Sequence, residues 1–197
     1  MLKPYLLVWL SLSVFFFSCK KKDSTPPAPD SPRVGTKWTY QYKTFDGGGM
    51  LADTYIFSYM ASSEVTLGGE TWLNITDSLG ATFFMMKLKP DGLYQYANNS
   101  AQLLCKDPAT VGDSYISYNA GADETFTVSG VNTLINLPYP TNNVYVNSYN
   151  GEKAGNLRDI IWYNKDLWIA KMEKYELNII TLAYHRSERW ELISIDY

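Results

Sequence analysis

The chain has 197 residues, a formal charge of −3, and an aromatic content of 15% that includes 16 Tyr and 6 Trp. That length suits one domain with a full hydrophobic core and leaves no room for a second. The acidic balance excludes the dense positive surface that nucleic-acid backbones require. One His and two Cys exclude a zinc site built from several such ligands. The aromatic excess points to strands, where large rings pack well on a pleated face.

The N-terminal segment carries Lys3, then an apolar run from Leu6 to Phe17 broken only by Ser11 and Ser13, and ends at Ser18-Cys19. A membrane-spanning helix needs about 20 apolar residues, so this shorter run reads as an export signal over residues 1–18. The stretch Phe16-Phe17-Ser18-Cys19 resembles a lipoprotein processing site, with Phe16 where Leu is common and Phe17 where a small residue is. That looser form is similar to the sites of Bacteroidetes-type lipoproteins. The resemblance implies that Cys19 is lipidated and that a membrane is a partner, through acyl chains on that cysteine. A plain secretory signal and a retained anchor are the alternatives.

Residues 19–33 then form a tether. Lys20-Lys21-Lys22 is followed by Pro26, Pro27, Pro29 and Pro32, which hold a chain extended at roughly 3.1 Å per residue, about 40 Å in all. If Cys19 carries lipid, Cys105 has no disulfide partner. Its place after Leu103-Leu104 makes it a buried small hydrophobe.

Residues 34–197 read as one antiparallel β domain. Trp38, Tyr40 and Tyr42 alternate with Lys37, Thr39, Gln41 and Lys43, the period of a half-buried strand. Gly47-Gly48-Gly49 reads as a hairpin connection, since no Lys-Ser/Thr follows to make a phosphate cradle. Thr54 to Met60, Thr71 to Thr76, Ala81 to Leu88, Leu93 to Tyr96 and Ala101 to Cys105 continue as a meander. Gly68-Gly69, Ser78-Leu79-Gly80, Pro90-Asp91-Gly92 and Asn98-Asn99 supply its turns. Further strands are predicted over Tyr115 to Tyr118 and from Glu124 to Val131, where the alternation is poor. A turn-rich rim loop is predicted from Asn132 to Asn143. Val144 to Tyr149, Leu157 to Tyr163, Trp168 to Tyr175, Ile179 to Tyr184 and Trp190 to Asp196 complete the set, with Arg186-Ser187-Glu188 separating the last two. No segment sustains a 3.6-residue period. The expectation is an all-β fold of about twelve strands with little or no helix.

Three stretches together resemble a group of Bacteroidetes lipoproteins. They are Val34-Gly35-Thr36-Lys37-Trp38-Thr39-Tyr40, Asp91-Gly92-Leu93-Tyr94-Gln95-Tyr96, and Leu103-Leu104 through Pro108 to Val111-Gly112-Asp113-Ser114-Tyr115. The likeness spans most of residues 34–197. A later hairpin of that group is matched loosely by Trp162 to Glu173, with Trp168 where a glycine is usual. The resemblance implies a large curved antiparallel sheet, a half-barrel or open barrel like the periplasmic carriers that ferry lipoproteins. Its motifs carry no activity.

The chemistry-bearing residues form no recognisable catalytic set. His185 stands beside Arg186 and Glu188 as turn decoration, and Gly-x-Ser-x-Gly is missing. Asp91, Asp113 and Asp123 lack the ligand spacing of a calcium loop. No cofactor is expected. Glu70, Asp77, Asp113, Glu124, Glu173 and Glu191 could meet in pairs across a sheet, as glycoside cleavage requires, but sequence spacing does not say which do. Trp38, Tyr40, Tyr42, Trp72, Tyr94 and Tyr96 are the candidate lining of a ligand groove. The expected function is non-enzymatic: a lipid-anchored envelope domain binding an apolar or glycan ligand, or an envelope protein, at its curved sheet. The expected place is the outer membrane facing the periplasm, with surface exposure open. A carboxylate-dependent hydrolase and a structural subunit of an outer-membrane assembly are the alternatives.

Overall fold

The computed structural model describes residues 31–119, 121–138 and 143–197. Cys19, the leader and most of the tether lie outside the described residues. Alternating inward and outward side chains give twelve strands: β1 (Lys37–Phe45), β2 (Leu51–Leu67), β3 (Glu70–Thr76), β4 (Thr82–Lys89), β5 (Gly92–Ala97) and β6 (Ser100–Lys106), then β7 (Ser114–Asn119), β8 (Ala122–Asn136), β9 (Asn143–Lys153), β10 (Asn156–Asn164), β11 (Trp168–Asn178) and β12 (Ala183–Asp196). Every pairing is antiparallel, and among the described residues there is no helix.

The strands form one sheet in the order β6-β5-β4-β3-β2-β1-β12-β11-β10-β9-β8-β7. Neighbours are consecutive in sequence except where β1 pairs with β12, from Lys37 opposite Asp196 to Thr44 opposite Glu188. This is the all-β meander expected from the sequence, curved into a nearly closed barrel. One seam, between β6 and β7, has no backbone ladder. Side chains span it instead: the Tyr115 hydroxyl donates to the Leu104 carbonyl at 2.8 Å, and Gln95 Nε2 donates to the Tyr118 carbonyl at 2.8 Å. The Tyr118 amide donates to Gln102 Oε1, and Lys106 pairs with Asp113 at 2.7 Å.

An up-and-down order fixes the two rims. The turns after β1, β3, β5, β7, β9 and β11 stand at one, the upper rim. Those after the even-numbered strands, with Ser31–Thr36 and Tyr197, stand at the lower. The interior is packed most densely by Trp38, Leu93, Leu104, Cys105, Phe126, Tyr149, Tyr163, Trp168 and Leu192, all buried. Cys105 is the buried small hydrophobe that the sequence suggested, and burial pushes its thiol well above the usual range.

Trp168 stands where a glycine would be easy, and it adopts φ 64°, a left-handed conformation uncommon for a bulky side chain. Such a residue carries roughly 1–3 kcal/mol of strain. Burying the indole, which packs against Trp38 at 5.6 Å between ring centroids, outweighs this, since losing a buried Trp costs about 3–5 kcal/mol.

Three expectations are corrected. Asn132 to Asn143 is not one loop, because β8 runs on to Asn136. An irregular register around Gly130, with Asn132 at φ 52°, absorbs the turn-forming residues, and Ile135 pairs with Val144 beyond it. Of the strand expected over Ile179 to Tyr184, Ile179 to Leu182 is a turn and only Ala183 and Tyr184 are extended, as the start of β12. Asn178 Oδ1 accepts the amides of Ile180 and Thr181, and the Asn178 carbonyl accepts that of Leu182, so local bonding outweighs the β preference of the isoleucines. Arg186-Ser187-Glu188 separates nothing and lies within β12, as does His185, which pairs with Glu176 rather than decorating a turn.

Because the seam relies on side chains, it responds to a single atom. Tyr115→Phe removes the hydroxyl bonded to Leu104 and should cost about 1 kcal/mol in denaturant unfolding. Tyr94→Phe, whose hydroxyl bonds the exposed Asp91 carboxylate, should change stability by less than about 0.5 kcal/mol.

Candidate functional site

The inner wall changes character along the barrel axis. Below, rings and aliphatic side chains fill it. Towards the upper rim it leaves an internal cavity of about 220 Å³, lined by Phe83, Phe84, Leu104, Ile161, Ile169 and Met172, with Gln95, Asn119 and Lys174 as the polar members. Phe83 and Lys174 also line a cleft of about 420 Å³, which lies against Tyr42, Tyr55, Phe57, Leu79, Glu188 and Trp190. The cavity and the cleft thus share two side chains and lie against each other, with Phe83 and Lys174 between them. The cleft has the size of a small-molecule site, and the cavity is somewhat smaller.

Local irregularity builds the mouth. Ile75 pairs with Phe84 and Thr76 with Thr82, so Phe83 is the extra residue of a bulge. A bulge re-aims its side chain, and the Phe83 ring stacks on Tyr59 at 4.4 Å and reaches Trp190 at 5.8 Å. Lys174 sits over the Trp190 ring at 5.4 Å and lies 3.9 Å from the Glu188 carboxylate. Around the cleft the turns carry large exposed apolar side chains, with Leu79 92% and Ile180 88% accessible. The turn holding Ile180 is tied to the β1–β2 turn by Asn178 Nδ2 donating to the Gly47 carbonyl at 2.7 Å.

The six candidate groove residues are not brought together. Trp38 and Tyr40 point inward and are buried, with the Trp38 indole donating to the Leu167 carbonyl and the Tyr40 hydroxyl to that of Ile169. Tyr42 faces inward and lines the cleft. Trp72, Tyr94 and Tyr96 lie on the outer face, opposite in parity to Ile75, Leu93 and Gln95. There Trp72 meets Tyr96 edge-on at 5.4 Å, and Lys89, paired with Glu70, sits over the Trp72 and Tyr94 rings. The aromatic set is therefore split by the wall of the barrel.

The candidate carboxylates are also dispersed. Glu70 is held by Lys87 and Lys89 on the outer face, and Asp77 caps its turn by accepting the amides of Leu79 and Ala81. Asp113 is bound by Lys106 and by the Thr110 amide, which hold its pKa low. Glu173 and Glu191 share Arg189 outside the barrel, where Lys171, Arg186 and Lys43 also engage them. Asp91 and Asp113 stand at the lower rim, and Asp123, on β8, at the upper.

Glu124 alone of these faces the interior, and its partner is Asp159, which sequence reasoning missed. Both are buried, at 4% and 3% exposure. Asn119 Nδ2 donates to Glu124 Oε2 at 3.2 Å and to Asp159 Oδ2 at 3.1 Å. Burial first, and then the charge and hydrogen bonding of Glu124, push Asp159 up to about 7, against the smaller opposing pull of Lys174 and Arg158. On β9, Gly151 pairs with Asp159 on one side and with Phe126, two residues from Glu124, on the other. A Cβ there would come within 3.0 Å of Glu124 Oε2 and 2.9 Å of the Phe126 ring, so glycine leaves room for the carboxylate. A signal for the pair was present: Asp159, Ile161 and Tyr163 share one parity, as do Glu124, Phe126 and Val128. Acids in otherwise apolar inward registers mark a buried polar site. Among the described residues no group of three or more His, Cys, Asp or Glu gathers as a metal site.

The class these features define is a twelve-stranded, nearly closed antiparallel barrel with an apolar internal cavity open at one rim. No family model matches the chain, and no curated protein or solved structure matches it either.

The pH dependence of stability follows from Asp159. Its pKa lies above the ordinary carboxylate value near 3.9, so between about pH 4 and 7 the folded protein holds a proton that the unfolded chain has released. The stability that this proton brings is complete below that window and is lost as the pH rises through about 7. Asp159→Asn cannot ionise. In metal-free buffer its melting temperature relative to wild type should therefore be higher at pH 8 than at pH 4.

Proposed function

We propose that this protein is a lipid-anchored domain of the cell envelope that takes an apolar or amphiphilic ligand into its barrel. The observation that carries the ligand-binding reading is the unfilled cavity among Phe83, Phe84, Leu104, Ile161, Ile169 and Met172, joined to the cleft at the upper rim. Rings such as Trp38, Tyr149, Tyr163 and Trp168 occupy the interior below, whereas this space is walled almost wholly by apolar side chains. An apolar wall with a few polar groups near the opening suits a hydrocarbon chain with its polar end towards the mouth. The anchor rests on the sequence at Ser18-Cys19. The reading is non-enzymatic: among the described residues Glu124 and Asp159 are buried and bridged by Asn119, and of the acids lining the cleft Glu188 is paired with Lys174 and Asp77 caps its own turn.

Two measurements test the two halves of the reading. N-phenyl-1-naphthylamine should brighten on titration into the purified protein and be displaced by dodecanol. Ile161→Phe, which puts a ring into the cavity, should weaken the dye at least tenfold with the far-ultraviolet spectrum unchanged. Equal binding by wild type and variant would remove the cavity as the site. Separately, metabolic labelling with a palmitate analogue should mark the wild type and not Cys19→Ala. Equal labelling would end the lipoprotein reading.

A further inference from the structure

The Glu124–Asp159 pair has a neighbour that the cavity reading does not use. Ser117, on β7, is the direct cross-strand partner of Glu124, and both side chains point into the barrel. It is 0% exposed and its hydroxyl has no hydrogen-bond partner. A buried polar atom left unpaired is costly, and this one stands across the strand pair from Glu124, which in turn neighbours Asp159. The cluster is rich in acceptors: two carboxyl groups, one hydroxyl, and the amide of Asn119, whose two ends exchange places on a half-turn of the side chain.

We propose that Glu124, Asp159, Asn119 and Ser117 form a binding site for a calcium ion in the inner wall of the barrel. The spacing fits. The amide nitrogen of Asn119 lies 3.2 Å from Glu124 Oε2 and 3.1 Å from Asp159 Oδ2, so turning the amide puts Oδ1 at nearly those separations. Oxygens sharing one calcium ion at about 2.3–2.6 Å stand about this far apart, whereas octahedral magnesium at about 2.0–2.1 Å draws its oxygens to about 2.9 Å. Two carboxylates balance the double charge, and the Ser117 hydroxyl supplies the oxygen on the β7 side. Asn119 also lines the internal cavity, which gives an ion and its remaining waters a way in. Gly151 keeps the opposite side clear. The ion would do for this pair what a proton on Asp159 does without it, and Lys174 and Arg158, the cations acting on Asp159, oppose it.

Thermal unfolding of the purified chain at pH 8, in chelator, in 1 mM calcium chloride and in 1 mM magnesium chloride, tests this, with isothermal titration of calcium alongside. Calcium should raise the melting temperature by several degrees and magnesium by much less. The calcium shift should vanish in Asp159→Asn and in Glu124→Gln, both near-isosteric. In Ser117→Ala the apparent affinity should fall about tenfold, and Asn119→Asp, which adds a carboxylate, should bind calcium more tightly than wild type. No calcium shift and no heat of binding in the wild type would overturn the proposal. So would a shift that survives in Asp159→Asn, or equal shifts from calcium and magnesium.

Discussion

The backbone ladder between β1 and β12 is the interaction on which the rest of this molecule depends. Every other pairing joins strands adjacent in sequence, and such a ribbon on its own would stay an open sheet with exposed edges. Joining the first strand to the last removes both terminal edges at once. The gap that a finite sheet must have somewhere is thereby moved to the middle of the chain, between β6 and β7. That gap is short, and Gln95, Gln102, Lys106 and Tyr115 cover it with side-chain bonds. Outside the barrel, Glu173 gathers Lys171, Arg186 and Arg189 across β11 and β12, while Glu191 binds Lys43 across β12 and β1. Charge on the outer face and aromatic packing on the inner face thus converge on the same closing strands.

The interior is graded rather than uniform. In the lower half some buried rings bond the backbone, Trp38 to Leu167 and Tyr149 to Lys106, while the Tyr163 hydroxyl and the Trp168 indole nitrogen have no partner. The upper half holds the cavity, Lys174, and the acid pair. An acid pair in an apolar wall is costly in isolation, because desolvation disfavours both charges. It persists here with an amide bridging it and a glycine opposite. The same neighbourhood therefore holds together the apolar cavity, the perturbed acid and the unpaired Ser117 hydroxyl.

The architecture was legible in the sequence because period-two alternation and glycine or asparagine turns recur along the chain, so the all-β class, the strand count and the meander could be read directly. Boundaries failed where side-chain bonding overrode propensity, as when Asn178 made a turn of Ile179 to Leu182. The site was less legible. Parity along one strand gives a face, but which face is inner depends on curvature and on bulges that no local pattern reveals. Trp38 and Trp72 look alike in sequence and lie on opposite sides of the wall. Glu124 could be named as an acid of interest, but Asp159 is 35 residues away. Only the register through β9, with Gly151 between them, brings the two side by side.

An even number of up-and-down strands returns the chain to the rim from which it set out. Ser31–Thr36 and Tyr197 therefore share the densely packed lower rim, and the opening lies at the far end of the barrel. The described chain thus enters and leaves the barrel at one end. A load applied through either of those ends pulls on β1 and β12, the two strands whose ladder closes the sheet, while the cleft lies at the opposite rim.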